Sequence, residues 1–446
     1  MNRDFGWVQV ARLGLVQACL GAIVVLMTST LNRVMVVELA LPALLPGLLV
    51  AWHYAVQMAR PRLGHGGDGS ARRTPWIAGG IAVLGLGALG AAGATTLMAQ
   101  QRGLGIALAW VSFGLIGLGV SASGTSLLVL LAKRVPEARR AGAATLVWMM
   151  MIAGFAVTAG VAGHLLDPYS PQRLLAVTAG VVAVALGVTG LALYRLEGDT
   201  VDLPAQATAP KPAFRVALQQ VWGEPEARRF TVFVFVSMLA YSMQDLILEP
   251  FAGAAFGYTP GESTQLSGVQ HGGVLAGMIL MALAGGRYAG RPAGSLRAWA
   301  VGGCLVSALA LFGLALAGLA GPGWPLKATV ALLGAANGAF SIAAIASMMR
   351  LAGEGRARRE GVRMGLWGAA QAIAFALGGV LGAAASDLTR ALIGSPGAAY
   401  ALVFAVEGLL FIAAARLALR IGEARTAATF QPPDRVSPAW APRGTT

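Results

Sequence analysis

The sequence predicts an all-α membrane protein of twelve transmembrane helices in two six-helix halves, with N- and C-termini cytoplasmic. Three observations predict it. Long apolar runs recur from end to end of a 446-residue chain that is 57% hydrophobic and 12% charged, against about 25% charged in soluble proteins. Assigning the N-terminus, alternate connections between runs and the C-terminal tail to one side of the membrane places 28 of the 33 Lys and Arg on that side, which is the positive-inside pattern. A segment preceding the fifth run reappears before the eleventh, 219 residues later.

The runs place spans at 11–31, 35–58, 75–98, 104–132, 142–166, 173–194, 230–252, 264–284, 298–320, 325–350, 361–385 and 397–420. Each is long enough for a hydrocarbon core of about 30 Å. The first is longer than the apolar region of a signal peptide and no small-residue cleavage site follows, so it reads as a span. The five exceptional cations are Arg33, Arg102, Arg173, Lys327 and Arg390. The organisation that follows is an N-terminal half over 1–194, a Pro-rich cytoplasmic linker over 195–229, a C-terminal half over 230–420 and a disordered tail over 421–446. A short surface helix is expected from Phe214 to Trp222.

The repeat aligns Ala138-Arg139-Arg140-Ala141-Gly142 with Ala357-Arg358-Arg359-Glu360-Gly361, and Trp148 with Trp367. Two six-helix halves in parallel repeat are the architecture of major facilitator transporters. The loop after the second span supports that fold: Gly64, Asp68, Arg72 and Arg73 fall in a pattern resembling the superfamily's G-x-x-x-D-x-x-G-R-R signature, with Ala71 in place of the last Gly.

A net charge of +14 could point to nucleic acid, but there is no compact basic domain, and the cations are spread over short loops. Cys19 and Cys304 both fall inside spans and read as small packing residues, with no metal cluster. Nucleophile elbows, Walker loops, H-E-x-x-H and C-x-x-C are absent, so no enzyme chemistry is expected.

Two polar clusters interrupt the apolar pattern: Asn32-Arg33 with Glu38, and Gln244-Asp245 with Glu249. A charge at membrane depth costs about 2.5–3.5 kcal/mol even on the lenient insertion scale. The clusters occupy corresponding ends of the first span of each half, where an ion pair of Arg33 with Asp245 or Glu249, and Glu38 as a further partner, would join the halves. Helix-end anchors at the periplasmic boundary, or a ligand- or proton-linked site, are the other readings. Glu407 and Gln371 are further isolated polar residues in spans.

The run from Leu31 to Gly47, the segments Arg60-Pro61-Arg62-Leu63-Gly64-His65 and Arg72-Arg73-Thr74-Pro75-Trp76, and Gln244-Asp245-Leu246-Ile247-Leu248-Glu249-Pro250-Phe251 resemble the PucC/LhaA family of photosynthetic bacteria. The resemblance implies a light-harvesting antenna assembly factor in the intracytoplasmic photosynthetic membrane. It further implies delivery of bacteriochlorophyll or a carotenoid, with antenna polypeptides and the lipid bilayer as partners. Neither the antenna served nor the oligomeric state follows from it. A proton-coupled exporter of small amphipathic molecules is the alternative.

A chlorophyll magnesium takes a neutral His nitrogen, and the macrocycle lying over the helix favours a small residue four positions earlier. His271 has Ser267 there, His164 has Gly160 and His53 the bulkier Leu49. These three are the pigment-binding candidates, each set against the simpler reading of a hydrogen-bonded packing histidine.

Overall fold

The computed structural model describes residues 5–57, 72–197, 219, 222–287, 294–354 and 360–421, and these are helical almost throughout. The first span begins as α1 (Trp7–Leu26) and continues through two π-helical turns, Met27–Leu31 and Val34–Glu38. Then come α2 (Leu44–Gln57), α3 (Thr74–Met98), α4 (Arg102–Arg134), α5 (Glu137–Leu166) and α6 (Pro171–Leu193). The later helices are α7 (Pro225–Asp245), α8 (Leu248–Phe256), α9 (Pro260–Arg287), α10 (Gly294–Ala320), α11 (Leu326–Glu354), α12 (Glu360–Leu392) and α13 (Pro396–Leu419). Among the described residues, eleven helices are long and apolar enough to cross a membrane. The second expected span is represented by α2, of which fourteen residues are described.

The starts follow local chemistry. Ser170 accepts the amide of Arg173 at 3.1 Å to cap α6, and prolines stand in the first turn of α3, α6, α7 and α13, where no intrahelical donor is lost. Gly257, at φ 70, ends α8 in the left-handed conformation that favours glycine.

Two boundaries differ from the sequence-based expectation. The first span does not stop near Leu31, because π-helical turns carry it to Glu38. The chain turns at Ala40, which holds φ 49, and Pro42 precedes α2. Val34–Val37 therefore ends the first span instead of opening the second. The seventh span also extends beyond its expected range, to Pro225–Phe256, with a turn at Leu246–Ile247.

Two large apolar cores result, with a small third cluster of Val36, Ala43 and Ala383. One is drawn from residues 5–196 plus Leu246, the other from residues 230–421 plus Ile152. In the first group α1 packs on α5 and α6, α3 on α4 and α6, and α2 on α4; in the second α7 packs on α12 and α13, α10 on α11 and α13, and α9 on α11. The groups meet along two seams, α5 with α9 and α2 with α12. Glycine allows both approaches: a Cβ on Gly163 would stand 2.7 Å from the amide of Gln265, and one on Gly47 2.9 Å from the Ala383 methyl. Large apolar side chains such as Leu191, Leu309 and Leu319 face outward, as a lipid-embedded bundle requires.

Candidate functional site

The polar side chains singled out in the sequence gather where the first and seventh spans are interrupted. Glu38 follows Arg33 by five positions; in an α-helix that would rotate them about 140° apart. The π-helical turn, closed by Leu39 N on the Val34 carbonyl at 3.0 Å, accompanies a register in which Arg33 Nη1 reaches Glu38 Oε1 at 2.8 Å. Arg33 Nη2 donates to the carbonyl of Tyr258 at 2.7 Å. The guanidinium lies against Gly253, where a Cβ would come within 2.7 Å of Nε.

The expected pairing of Arg33 with Asp245 or Glu249 is thereby corrected. The ion pair of Arg33 is with Glu38, in its own span, and what crosses to the second group is the bond to a backbone carbonyl. The turn at 246–247 separates Asp245, the last residue of α7, from Glu249 in α8. Asp245 makes no ion pair among the described residues and lies close enough to Tyr241 and Glu407 to interact electrostatically. Glu249 lies beside Ser29, Ser267 and Arg33.

The same interruption supplies an acceptor. Asn32 Nδ2 donates to the carbonyl of Leu246 at 2.8 Å, a group freed where α7 ends. Beside it, the hydroxyls of Thr30 and Thr264 lie 3.1 Å apart. Gln244 is buried with both amide atoms unbonded among the described residues.

Two further ties come from Asp387, which the sequence reading passed over. Its Oδ1 and Oδ2 accept the amides of Ala43 and Leu44 at 2.9 and 2.8 Å, capping α2 from α12. Asp387 stands near the C-terminus of its own helix, where the dipole disfavours an anion, and at the N-terminus of α2, where it is favoured. The available signal was a carboxylate at a span end in a sequence with few of them.

At the opposite end of the bundle, two polar ties among the described residues each join helices of one group. Glu197, after α6, accepts the amides of Arg73 (2.9 and 3.0 Å) and Thr74 (2.7 Å), fixing the start of α3. Arg363 grips Glu224 with Nη2 2.7 Å from both carboxylate oxygens, joining α12 to the start of α7. Of the loop motif, Arg73 is buried and Arg72 exposed; Gly64 and Asp68 lie outside the described residues, as do most of the expected surface helix and the tail.

The three histidines separate. His271 Nδ1 is 2.9 Å from the carbonyl oxygen of Ser267, one turn earlier, and 3.4 Å from its hydroxyl. A carbonyl only accepts, so the proton sits on Nδ1 and Nε2 keeps its lone pair. Among the described residues nothing bonds Nε2. The half-buried ring meets Phe155 of α5 edge-on at 5.0 Å, in the seam between groups. A Cβ added to the adjacent Gly272 would meet nothing within 4 Å. His53 is buried on α2 with Nε2 2.7 Å from Gln57 Nε2, and its backbone carbonyl is pressed against Gly117. His164 is exposed in the last turn of α5.

A family model described as PUCC protein matches residues 30–426. The chain belongs to that family. It is 54% identical over 388 residues to a Rhodobacter capsulatus protein named "Bacteriochlorophyll synthase 44.5 kDa chain", covering 87% of this chain and 89% of that one. It is 30% identical over 399 residues to Protein PucC of the same species, covering 86% and 85%. Among solved structures it is similar to a bacterial homologue of the human drug peptide transporters PepT1 and PepT2, with TM-score 0.68, 16% identity and 94% and 99% of the two chains covered. A bacterial homologue of the lysosomal transporter Spinster, inward-facing and unoccupied, gives TM-score 0.67 at 16% identity over 97% and 98%. At such identities the likeness shows the fold alone, which is of the major facilitator transporter type.

Proposed function

We propose that this multi-pass membrane protein is a non-catalytic antenna assembly factor that carries bacteriochlorophyll to light-harvesting polypeptides in the bacterial intracytoplasmic membrane. Family membership supports the photosynthetic setting. The observation that carries the pigment reading is His271: Nδ1–H is fixed on the Ser267 carbonyl and Nε2 is left free. Metal-ligating histidines are oriented by this arrangement. Bacteriochlorophyll is then cargo whose magnesium takes the Nε2 lone pair, with open space at the adjacent Gly272.

The architecture belonging to this reading has twelve spans in two six-helix halves, 1–194 and 230–420, with a linker over 195–229 and both termini cytoplasmic. Support comes from the recurrent packing of the two helix groups and from the charge distribution. The Arg33 end of the bundle is then periplasmic and the Arg363 end cytoplasmic.

A proton-coupled exporter is the second reading, favoured by five hydrogen bonds that join the groups at the Arg33 end. Gentle purification from pigmented membranes, followed by absorption spectroscopy and protein identification, separates the two. Co-purified antenna with pigment that is lost in His271→Leu is the expected result. A colourless protein without antenna that moves a small amphipathic solute in vesicles overturns the assembly reading.

A further inference from the structure

Glu407 is an isolated ionisable group among the described residues. It lies midway along α13, fully buried, and neither carboxylate oxygen has a hydrogen-bond partner among the described residues. Phe404 and Phe411, one turn to either side, are equally buried. The helices packed on α13 are α7, α8, α10 and α12, and their ionisable groups are otherwise engaged. Asp387 of α12 caps α2, and Arg390 lies beside Tyr400. Glu249 of α8 is turned toward Ser29, Ser267 and Arg33. Arg297 of α10 bonds the carbonyl of Leu419 at the far end of α13, while Cys304 is buried in the same helix. Arg363 holds Glu224. The charged group that reaches Glu407 is Asp245 of α7, another carboxylate.

An ionised carboxylate does not persist in a buried site without a hydrogen bond or a counter-charge; it neutralises by taking a proton. A second carboxylate within electrostatic reach makes protonation of one of them the way to relieve both. Asp245 is half-buried, as is Tyr241 one turn earlier, so the pair has an outlet past α7. Tyr241 in turn lies near Tyr54 of α2, across the space between the helix groups.

We propose that Asp245 and Glu407 form a proton-binding carboxyl pair between α7 and α13, separate from the His271 site. The proton comes from water: hydronium protonates one carboxylate, leaving the acid and water, and no other reactant is needed. Asp245 directly precedes Leu246, whose carbonyl holds Asn32. Charge on the pair therefore acts one residue away from a bond that joins the groups, whatever cargo is carried.

Infrared difference spectroscopy on the full-length purified protein, titrated in water and in deuterium oxide, tests this. The expected result is a deuterium-sensitive carboxylic acid band that titrates, is lost in Glu407→Gln and has a moved midpoint in Asp245→Asn. A wild-type spectrum without such a band, or a band that Glu407→Gln leaves in place, overturns the proposal. Should Glu407→Gln fail to fold, Asp245→Asn decides: an unmoved midpoint overturns the pairing.

Discussion

Asp387 and Leu44 are 343 positions apart in the chain, yet the carboxylate of one holds the amide of the other at 2.8 Å. The bond fixes the start of α2 to the end of α12, so a helix cap is also a tie between the two groups. Side-chain caps contribute about 0.5–2 kcal/mol. Asp387→Ala should lower the stability of the detergent-purified protein by about 1–2 kcal/mol, measured by denaturant or thermal unfolding, while Asp387→Asn retains an acceptor and loses less. Equal losses in the two variants would remove the cap as the cause.

Arg33 is nearly buried and Glu38 is more than one-third exposed, with side-chain exposures of 3% and 37%. Breaking a fully buried pair costs about 3–5 kcal/mol, and solvent at Glu38 reduces that. Arg33→Ala should cost about 2–3 kcal/mol by that argument, and Glu38→Gln less, because the Tyr258 carbonyl still holds the guanidinium. Charge reversal with Asp245 (Arg33→Asp with Asp245→Arg) should not restore folded yield. A rescue by that double variant would contradict the pairing of Arg33 with Glu38.

Gly160 and Gly163 offer a matched comparison on one helix. A Cβ on Gly160 meets nothing within 4 Å, whereas one on Gly163 meets the Gly261 carbonyl and the Gln265 amide at 2.7 Å. Gly163→Ala should destabilise by about 1–3 kcal/mol through overpacking of the α5–α9 seam. Gly160→Ala should be neutral or stabilising by up to about 1 kcal/mol from helix propensity. Unfolding midpoints in the same detergent read both.

Replacing Ser267 separates two sources of support for His271. Its carbonyl remains in Ser267→Ala, so that variant should keep the Nδ1 bond and bind pigment at near wild-type stoichiometry. His271→Leu should lose the pigment, and His53→Leu should not. Pigment-to-protein absorbance ratios decide among them, and a loss confined to His53→Leu would move the site to α2.

Much of the fold was legible because burial in lipid leaves a coarse mark: runs of about twenty apolar residues, with cations on alternate connections. Arg33 and Asp245 were visible for the converse reason, being rare charges in such runs. Glu38 reads in the sequence only as a further partner of Arg33, behind Asp245 and Glu249. The contact between Arg33 and Glu38 depends on a π-helical turn, and nothing in the apolar stretch Val34–Val37 separates a continued first helix from the start of a second. Asp387 and Glu197 act on backbone amides of distant segments, and a backbone amide carries no sequence signature. His271 stood out from His53 by its small neighbours, but its Nδ1 bond to the Ser267 carbonyl and the burial of His53 beside Gln57 carry no mark in the sequence.

The π-helical turns also make this region sensitive to counting. A wider turn accommodates an extra residue, so Met27–Leu31 behaves as a one-residue insertion in an otherwise regular helix. A deletion within that turn rewinds it to α-helical register and is absorbed, but one in the regular turns of α1 would turn everything beyond it by about 100°. Thr30, Asn32 and Arg33 would all be present and would miss Thr264, Leu246 and Tyr258. Spacing through this span thus carries as much information as the identity of its side chains, and a single deletion in α1 should be as damaging as the loss of Arg33 itself.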